Sequence, residues 1–208
     1  RSRPQRSDPR RRASVDWQLS DDVQPASRVP AARLVDALPF GDPAVTGHSR
    51  PVPVTGAWRP GDDPGERRFV RIGDIDVEAG GTISDAVLAY ETWGRLNDAR
   101  DNAVLVAHAL TGDSHVRGDA GPGHPTAGWW GDVVGPGLPI DTDRFFVVAP
   151  NMLGGCQGST GPASLATDGV EWGSRFPRVT VRDQVEAQRR LADRLGIGRW
   201  HAVIGGSM

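Results

Sequence analysis

Three short apolar runs limit what this chain can fold into more than any other feature. They are Ala103-Val104-Leu105-Val106-Ala107-His108, Phe145-Phe146-Val147-Val148-Ala149-Pro150 and Trp200-His201-Ala202-Val203-Ile204-Gly205. Apolar character without alternation is what a strand needs when both of its faces are covered, as in a parallel sheet. Between the second and third runs, Thr180 to Leu195 reads as a helix. Thr180 and Asp183 form an N-terminal cap pair, and Val181, Val185, Leu191, Ala192 and Leu195 fall along one face. Gly196 sits where the helix should stop. A helix between two buried strands is a βαβ unit, which places the chain in the α/β class with a mainly parallel sheet.

Upstream, Phe69-Val70-Arg71-Ile72 predicts a strand, Gly73-Asp74 a turn, and Ile75 with Val77 a second short strand. Val87 to Trp93 predicts another, followed by a polar turn over Asn97 to Asn102. Residues 1–65 are rich in Arg, Pro, Asp, Ser and Gly without a sustained period, so a poorly ordered tail is expected there and a folded domain over 66–208. The opening arginines (Arg1, Arg3, Arg6, Arg10, Arg11 and Arg12) are followed by Asp16, Asp21 and Asp22, which reads as a solvated tail and not a basic face. A net charge of -2 gives no broad electrostatic reason to bind nucleic acid. The single cysteine, Cys156, excludes an intrachain disulfide and fits a reducing, cytoplasmic compartment. No stretch has the length and apolarity of a membrane span, and no apolar segment follows the first arginines as in a signal peptide. A chain that opens on Arg1 and stops at Met208, inside a catalytic turn, is expected to be a fragment.

That turn is Val203-Ile204-Gly205-Gly206-Ser207-Met208. An apolar strand running straight into Gly-x-Ser-x is the pattern of a nucleophile elbow, where a strained serine sits at a sharp strand-to-helix turn. Small neighbours are required because a side chain there would collide with adjacent elements; Gly205 supplies the first required glycine, and Gly206 is compatible with the tight turn. Directly after the first apolar run comes His108-Ala109-Leu110-Thr111-Gly112. In this architecture the corresponding loop and the residue after the nucleophile each supply a backbone N–H to an oxyanion hole, which assigns those positions to Leu110 and Met208. His108 lies too early to be the base that follows the nucleophile, and reads as a strand-end histidine bonded to backbone. His115 and His124, near Asp113 and Asp119, match no familiar metal spacing, so a solvated loop is expected and no metal. Trp129-Trp130 reads as packing over the sheet edge, and Cys156 as a small buried residue.

Taken together, Tyr90-Glu91-Thr92-Trp93-Gly94, His108 to His115, Gly128-Trp129-Trp130, Asn151 to Pro162 and Gly205 to Met208 resemble the homoserine O-acetyltransferase family in order and spacing, over about residues 67–208. The Asn151–Pro162 stretch is the most specific piece. The resemblance implies an α/β-hydrolase fold cut at the nucleophile elbow. It also implies acetyl transfer from acetyl-CoA to the hydroxyl of L-homoserine in methionine biosynthesis, by a ping-pong route through an acetyl-serine. It implies Ser207 as nucleophile and Leu110 and Met208 as oxyanion-hole positions. The acidic residue, the histidine and a substrate-gripping arginine would lie beyond Met208, with a helical lid that builds the substrate tunnel and the homodimer contact. Acetyl-CoA is then a substrate, and no cofactor, membrane or nucleic-acid partner is expected. Three alternatives stand beside this: a succinyl or serine-using transferase of the same fold, an esterase in which water takes the acyl group, and a catalytically dead interaction module.

Overall fold

The computed structural model describes residues 56–207. Residues 1–55 and Met208 lie outside the described residues, and with them most of the tail expected over 1–65 and one predicted oxyanion position. Packing begins before residue 66. Ala57 is buried, the Trp58 ring stacks on Phe69 with centroids 4.7 Å apart, and the Trp58 N–H donates to the Cys156 carbonyl at 2.8 Å.

The described chain forms β1 (Arg68–Asp76), β2 (Thr82–Trp93), β3 (Ala103–Ala107), β4 (Val134–Gly135), β5 (Ile140–Asp141), β6 (Phe146–Pro150), α1 (Val181–Leu195) and β7 (Trp200–Gly205). Five of the strands make one sheet in the order β1-β2-β6-β3-β7, and β4 pairs with β5 apart from it. Pairing is antiparallel for β1–β2 and β2–β6, and parallel for β6–β3 and β3–β7. The sheet is thus mixed, with its parallel part made of the three apolar runs. The strand and turn expected over 69–77 are instead one continuous β1. Register shifts around Gly73, whose φ is 76°, absorb the irregularity as a bulge and keep the ladder running.

Side chains alternate across the sheet as the pleat requires. Val148 and Ala103 join the cluster under α1, with Val70, Ile72, Ile75, Leu88, Ala187 and Leu191. Val104, Val106, Val147 and Ala149 point to the other face, where Val116, Val134 and Ile140 cover them. The helix starts at the predicted capping box: Thr180 accepts from the Asp183 N–H at 3.3 Å, and the Asp183 carboxylate accepts the Thr180 N–H at 2.7 Å. It stops at Gly196, which is left-handed at φ 71°. Its buried face differs from the expected one. Asp183, Ala187, Leu191 and Ala192 are buried, whereas Val181 is 76 % and Val185 57 % exposed. Polar anchors set this rotation. Asp183 accepts the Glu78 N–H at 3.0 Å, and Gln184 takes both peptide groups of Leu153, at 3.0 and 2.8 Å. The third apolar run forms β7, the last strand of the sheet among the described residues, with His201, Val203 and Gly205 exposed on one face.

Beyond Pro150, where β6 stops accompanying β2, the segment 151–160 takes over that side of the strand. The N–H groups of Val87 and Ala89 donate to the hydroxyls of Thr160 (2.8 Å) and Ser159 (3.0 Å). The Val87 and Ala89 carbonyls accept from the N–H groups of Thr160 (2.9 Å) and Asn151 (2.8 Å).

Candidate functional site

Parallel pairing of β3 with β7 places Ala107 opposite Gly205, so the loops that leave the two strands emerge side by side. That register brings two of the predicted site residues together: the Leu110 N–H lies 3.3 Å from the Ser207 carbonyl oxygen. A contact at the long end of the N–H···O range is a weak hydrogen bond, readily exchanged for a better acceptor. Leu110 itself is 82 % exposed, so its side chain contributes little packing and its backbone is the part that matters.

Ser207 has φ 66°. A residue with a Cβ costs about 1–2 kcal/mol in this left-handed region, and such strain concentrates where a side chain must be presented at an unusual angle. Gly205 is required by sterics: a Cβ there would lie 2.6 Å from the Ala107 carbonyl oxygen and 2.8 Å from the Ala107 Cβ. Gly206 has open space around its missing Cβ, so no neighbour requires a glycine at that position. The third predicted residue, Met208, lies outside the described residues.

A buried polar network that spacing alone does not disclose joins β2 to the segments around Ser114 and Asn151. Glu91, 2 % exposed, accepts from the Ser114 hydroxyl at 2.9 Å, and its other oxygen faces His115 Nδ1 at 3.0 Å. Asn151 accepts the Ser114 N–H at 2.7 Å, and its amide also donates to the Gln157 carbonyl. Arg67, its side chain fully buried, donates to the Gly123 carbonyl at 2.7 Å and to Gln157 at 2.9 Å, and pairs with Asp113 at 3.5 Å. His115 and His124 are both 4 % exposed, with rings stacked 3.8 Å apart. The solvated loop expected for them is therefore a buried one, because Glu91 reaches it from β2 and Arg67 from the residue just before β1. Cys156, expected to be buried, is exposed. Trp130 does pack on the sheet cluster, while Trp129 donates its indole N–H to the Asp113 carbonyl at 2.9 Å.

Glu91, His115 and His124 are the one group of potential metal ligands among the described residues. Their rings, 14° from parallel, direct their in-plane lone pairs along planes that meet far outside the cluster, which does not suit a tetrahedral ion. Hydrogen bonding accounts for the arrangement better. The Glu66 N–H donates to His124 Nε2 at 3.1 Å, so the neutral ring carries its proton on Nδ1, which has no hydrogen-bond partner among the described residues. Burial, with the Arg67 charge and then His115 adding to it, pushes His124 down from 6.5 to about 4. Burial pushes the Glu91 carboxyl up, against the hydrogen bonds of His115 and Ser114.

The His124 shift has a defined sign in stability. The unfolded chain takes up that proton near pH 6.5 and the folded one only near 4, so this residue's contribution is intact above about 6.5 and is lost as pH falls toward about 4. Glu91, raised in the fold, acts in the opposite sense and offsets part of the loss. Denaturant titrations between pH 4 and 6.5 are expected to show a smaller loss of stability on acidification in His124→Gln than in the parent. An equal or steeper loss would refute the assignment.

Comparison with known proteins agrees with this geometry. The family model described as alpha/beta hydrolase fold matches residues 102–208, more than half of the chain. Among curated proteins, the homoserine O-acetyltransferase of Leifsonia xyli subsp. xyli is 56 % identical over 195 residues, covering 93 % of this chain and 46 % of that protein. The homoserine O-acetyltransferase of Thermobifida fusca is 63 % identical over 159 residues, covering 76 % and 42 %. The chain thus spans less than half the length of the curated relatives it matches. Among solved structures, esterase E22 superposes with TM-score 0.63 at 37 % identity, over 68 % of this chain and 40 % of that one. The homoserine O-acetyltransferase from Bacillus anthracis gives TM-score 0.61 at 33 % identity, over 68 % and 39 %. A strained serine at the end of an apolar parallel strand, a backbone donor on the neighbouring loop and a match across both agree on one assignment: the chain belongs to the alpha/beta hydrolase fold family.

Proposed function

We propose that the protein carrying this chain transfers an acetyl group from acetyl-CoA to the hydroxyl of L-homoserine, giving O-acetyl-L-homoserine and CoA in methionine biosynthesis. The observation that carries the reading is Ser207, left-handed at φ 66° beyond β7 with the Leu110 N–H beside it. The identity to curated homoserine O-acetyltransferases supports the choice of substrates. In this reading Ser207 Oγ attacks the thioester carbonyl, and the N–H groups of Leu110 and Met208 receive the negative charge that develops on its oxygen. The C–S bond breaks, CoA leaves as the thiol, and acetyl-Ser207 remains. The homoserine hydroxyl then attacks the ester, loses its proton and departs as product, restoring the serine. The base that moves these protons, the rest of the triad and a substrate-gripping arginine are assigned to the part of the whole protein that the relatives have and this chain does not span. Homodimerisation and a cytoplasmic location belong to the same proposal.

Brief incubation of the whole protein with acetyl-CoA is expected to add one acetyl group to the peptide that contains Ser207, seen by mass spectrometry, and homoserine should discharge it. The similarity to esterase E22 favours one second reading, in which water discharges the same acetyl-enzyme. The ratio of O-acetylhomoserine to free acetate decides between them. Acetate as the sole product would replace the transferase reading with the hydrolase one.

A further inference from the structure

His108 is buried at the end of β3, and both of its ring nitrogens meet backbone. Nδ1 lies 2.7 Å from the Ala109 carbonyl oxygen, and Nε2 lies 3.2 Å from the Met152 N–H. A carbonyl only accepts and an N–H only donates, so the two partners fix the neutral tautomer with its proton on Nδ1. The Ala109 carbonyl has a second donor, the Gly112 N–H at 2.8 Å. That carbonyl shares a peptide plane with the Leu110 N–H and, in a trans peptide, points the opposite way. Two donors that hold one end of the plane therefore aim the other end.

We propose that His108 is a positioning residue for the oxyanion hole, orienting the Leu110 N–H by gripping the Ala109 carbonyl and bracing itself on the Met152 peptide. The inference rests on the proposed role of Leu110 and adds a side chain to it. A donor must sit within hydrogen-bond distance of the place the oxyanion will occupy, and losing one such donor costs about 10²–10³-fold in kcat. Releasing its orientation costs a part of that, about 10-fold or more.

The test compares His108→Asn, His108→Gln and His108→Ala in the whole protein, with thermal melting recorded for each. Asparagine places an amide N–H where Nδ1 stood and keeps the grip on Ala109. Glutamine places its carbonyl where Nε2 stood and keeps only the bond from Met152. Expected is a kcat about 10-fold or more below the parent for Gln and Ala, with KM for acetyl-CoA little changed, and recovery of most of the kcat in Asn. A purely structural histidine would instead lower the melting temperature in Asn and Gln alike and leave kcat per folded molecule equal in the two. Equal kcat in Asn and Gln, or parental kcat in a folded Ala variant, overturns the proposal. If these variants keep their turnover while Ser207→Ala loses it, only the positioning role falls. If Ser207→Ala also keeps its turnover, the acyl-serine reading falls with it.

Discussion

Ser207→Ala is expected to lower kcat of the whole protein by about 10⁴-fold or more, while leaving its fold intact. The expectation follows from what the substitution removes and what it keeps. Alanine loses the hydroxyl that forms the acetyl ester, yet it has the same Cβ and so inherits the same left-handed strain at φ 66°. Neither Gly205 nor the β3–β7 register is touched. Stability should therefore stay within the few tenths of a kcal/mol typical of an exposed site. Release of CoA thiol from acetyl-CoA, followed with and without homoserine, measures both half-reactions. Turnover at the parental rate would remove Ser207 from the mechanism.

Glu91→Ala is expected to give the largest loss of stability, about 3–5 kcal/mol, the range for a buried charged group removed from its partners. The Ser114 hydroxyl and His115 Nδ1 would both face an apolar void where the carboxylate had been. His115 and His124 stack directly above, so the defect would spread to the loop that Arg67 ties to Gly123 and Gln157. Glu91→Gln keeps the volume and one acceptor oxygen and should cost markedly less, about 1–2 kcal/mol. Equilibrium denaturation of the two variants against the parent gives both numbers. A loss below about 1 kcal/mol in Glu91→Ala would mean that the neighbouring donors find other acceptors.

The parts of this fold that sequence reading reached are those written locally. The capping box at Thr180 and Asp183, the stop at Gly196 and the apolar β3 and β6 depend on residues a few positions apart, and each formed where expected. The glycine at 205 is legible from its motif, although the neighbour that requires it, Ala107, stands on another strand. The buried face of the helix cannot be read from apolarity alone, because polar anchors set it. Asp183 and Gln184 outrank Val181 and Val185 by taking backbone groups from Glu78 and Leu153, which no periodicity reveals. The polar network was illegible for a related reason. Glu91, the adjacent Ser114 and His115, and Asn151 lie in three segments far apart in the chain, which the pairing of β2 with β6 brings together. The motifs around Glu91, His108 to His115 and Asn151 are physically one assembly. Their side chains bond one another, which gives those strings a structural reason to occur together.

The hydroxyls of Ser159 and Thr160 stand in for a missing strand beside Val87 and Ala89, and this makes two amides of the sheet answer to a loop. An amide bonded to a strand carbonyl is released only when the ladder separates. One bonded to a side-chain oxygen is released when that side chain swings away, while the strands on either side stay paired. Deuterium uptake at Val87 and Ala89 would then keep time with the 151–160 segment, and uptake at Val104 and Leu105 with the sheet. The difference between the two clocks would measure how often the segment lifts from the strand it completes.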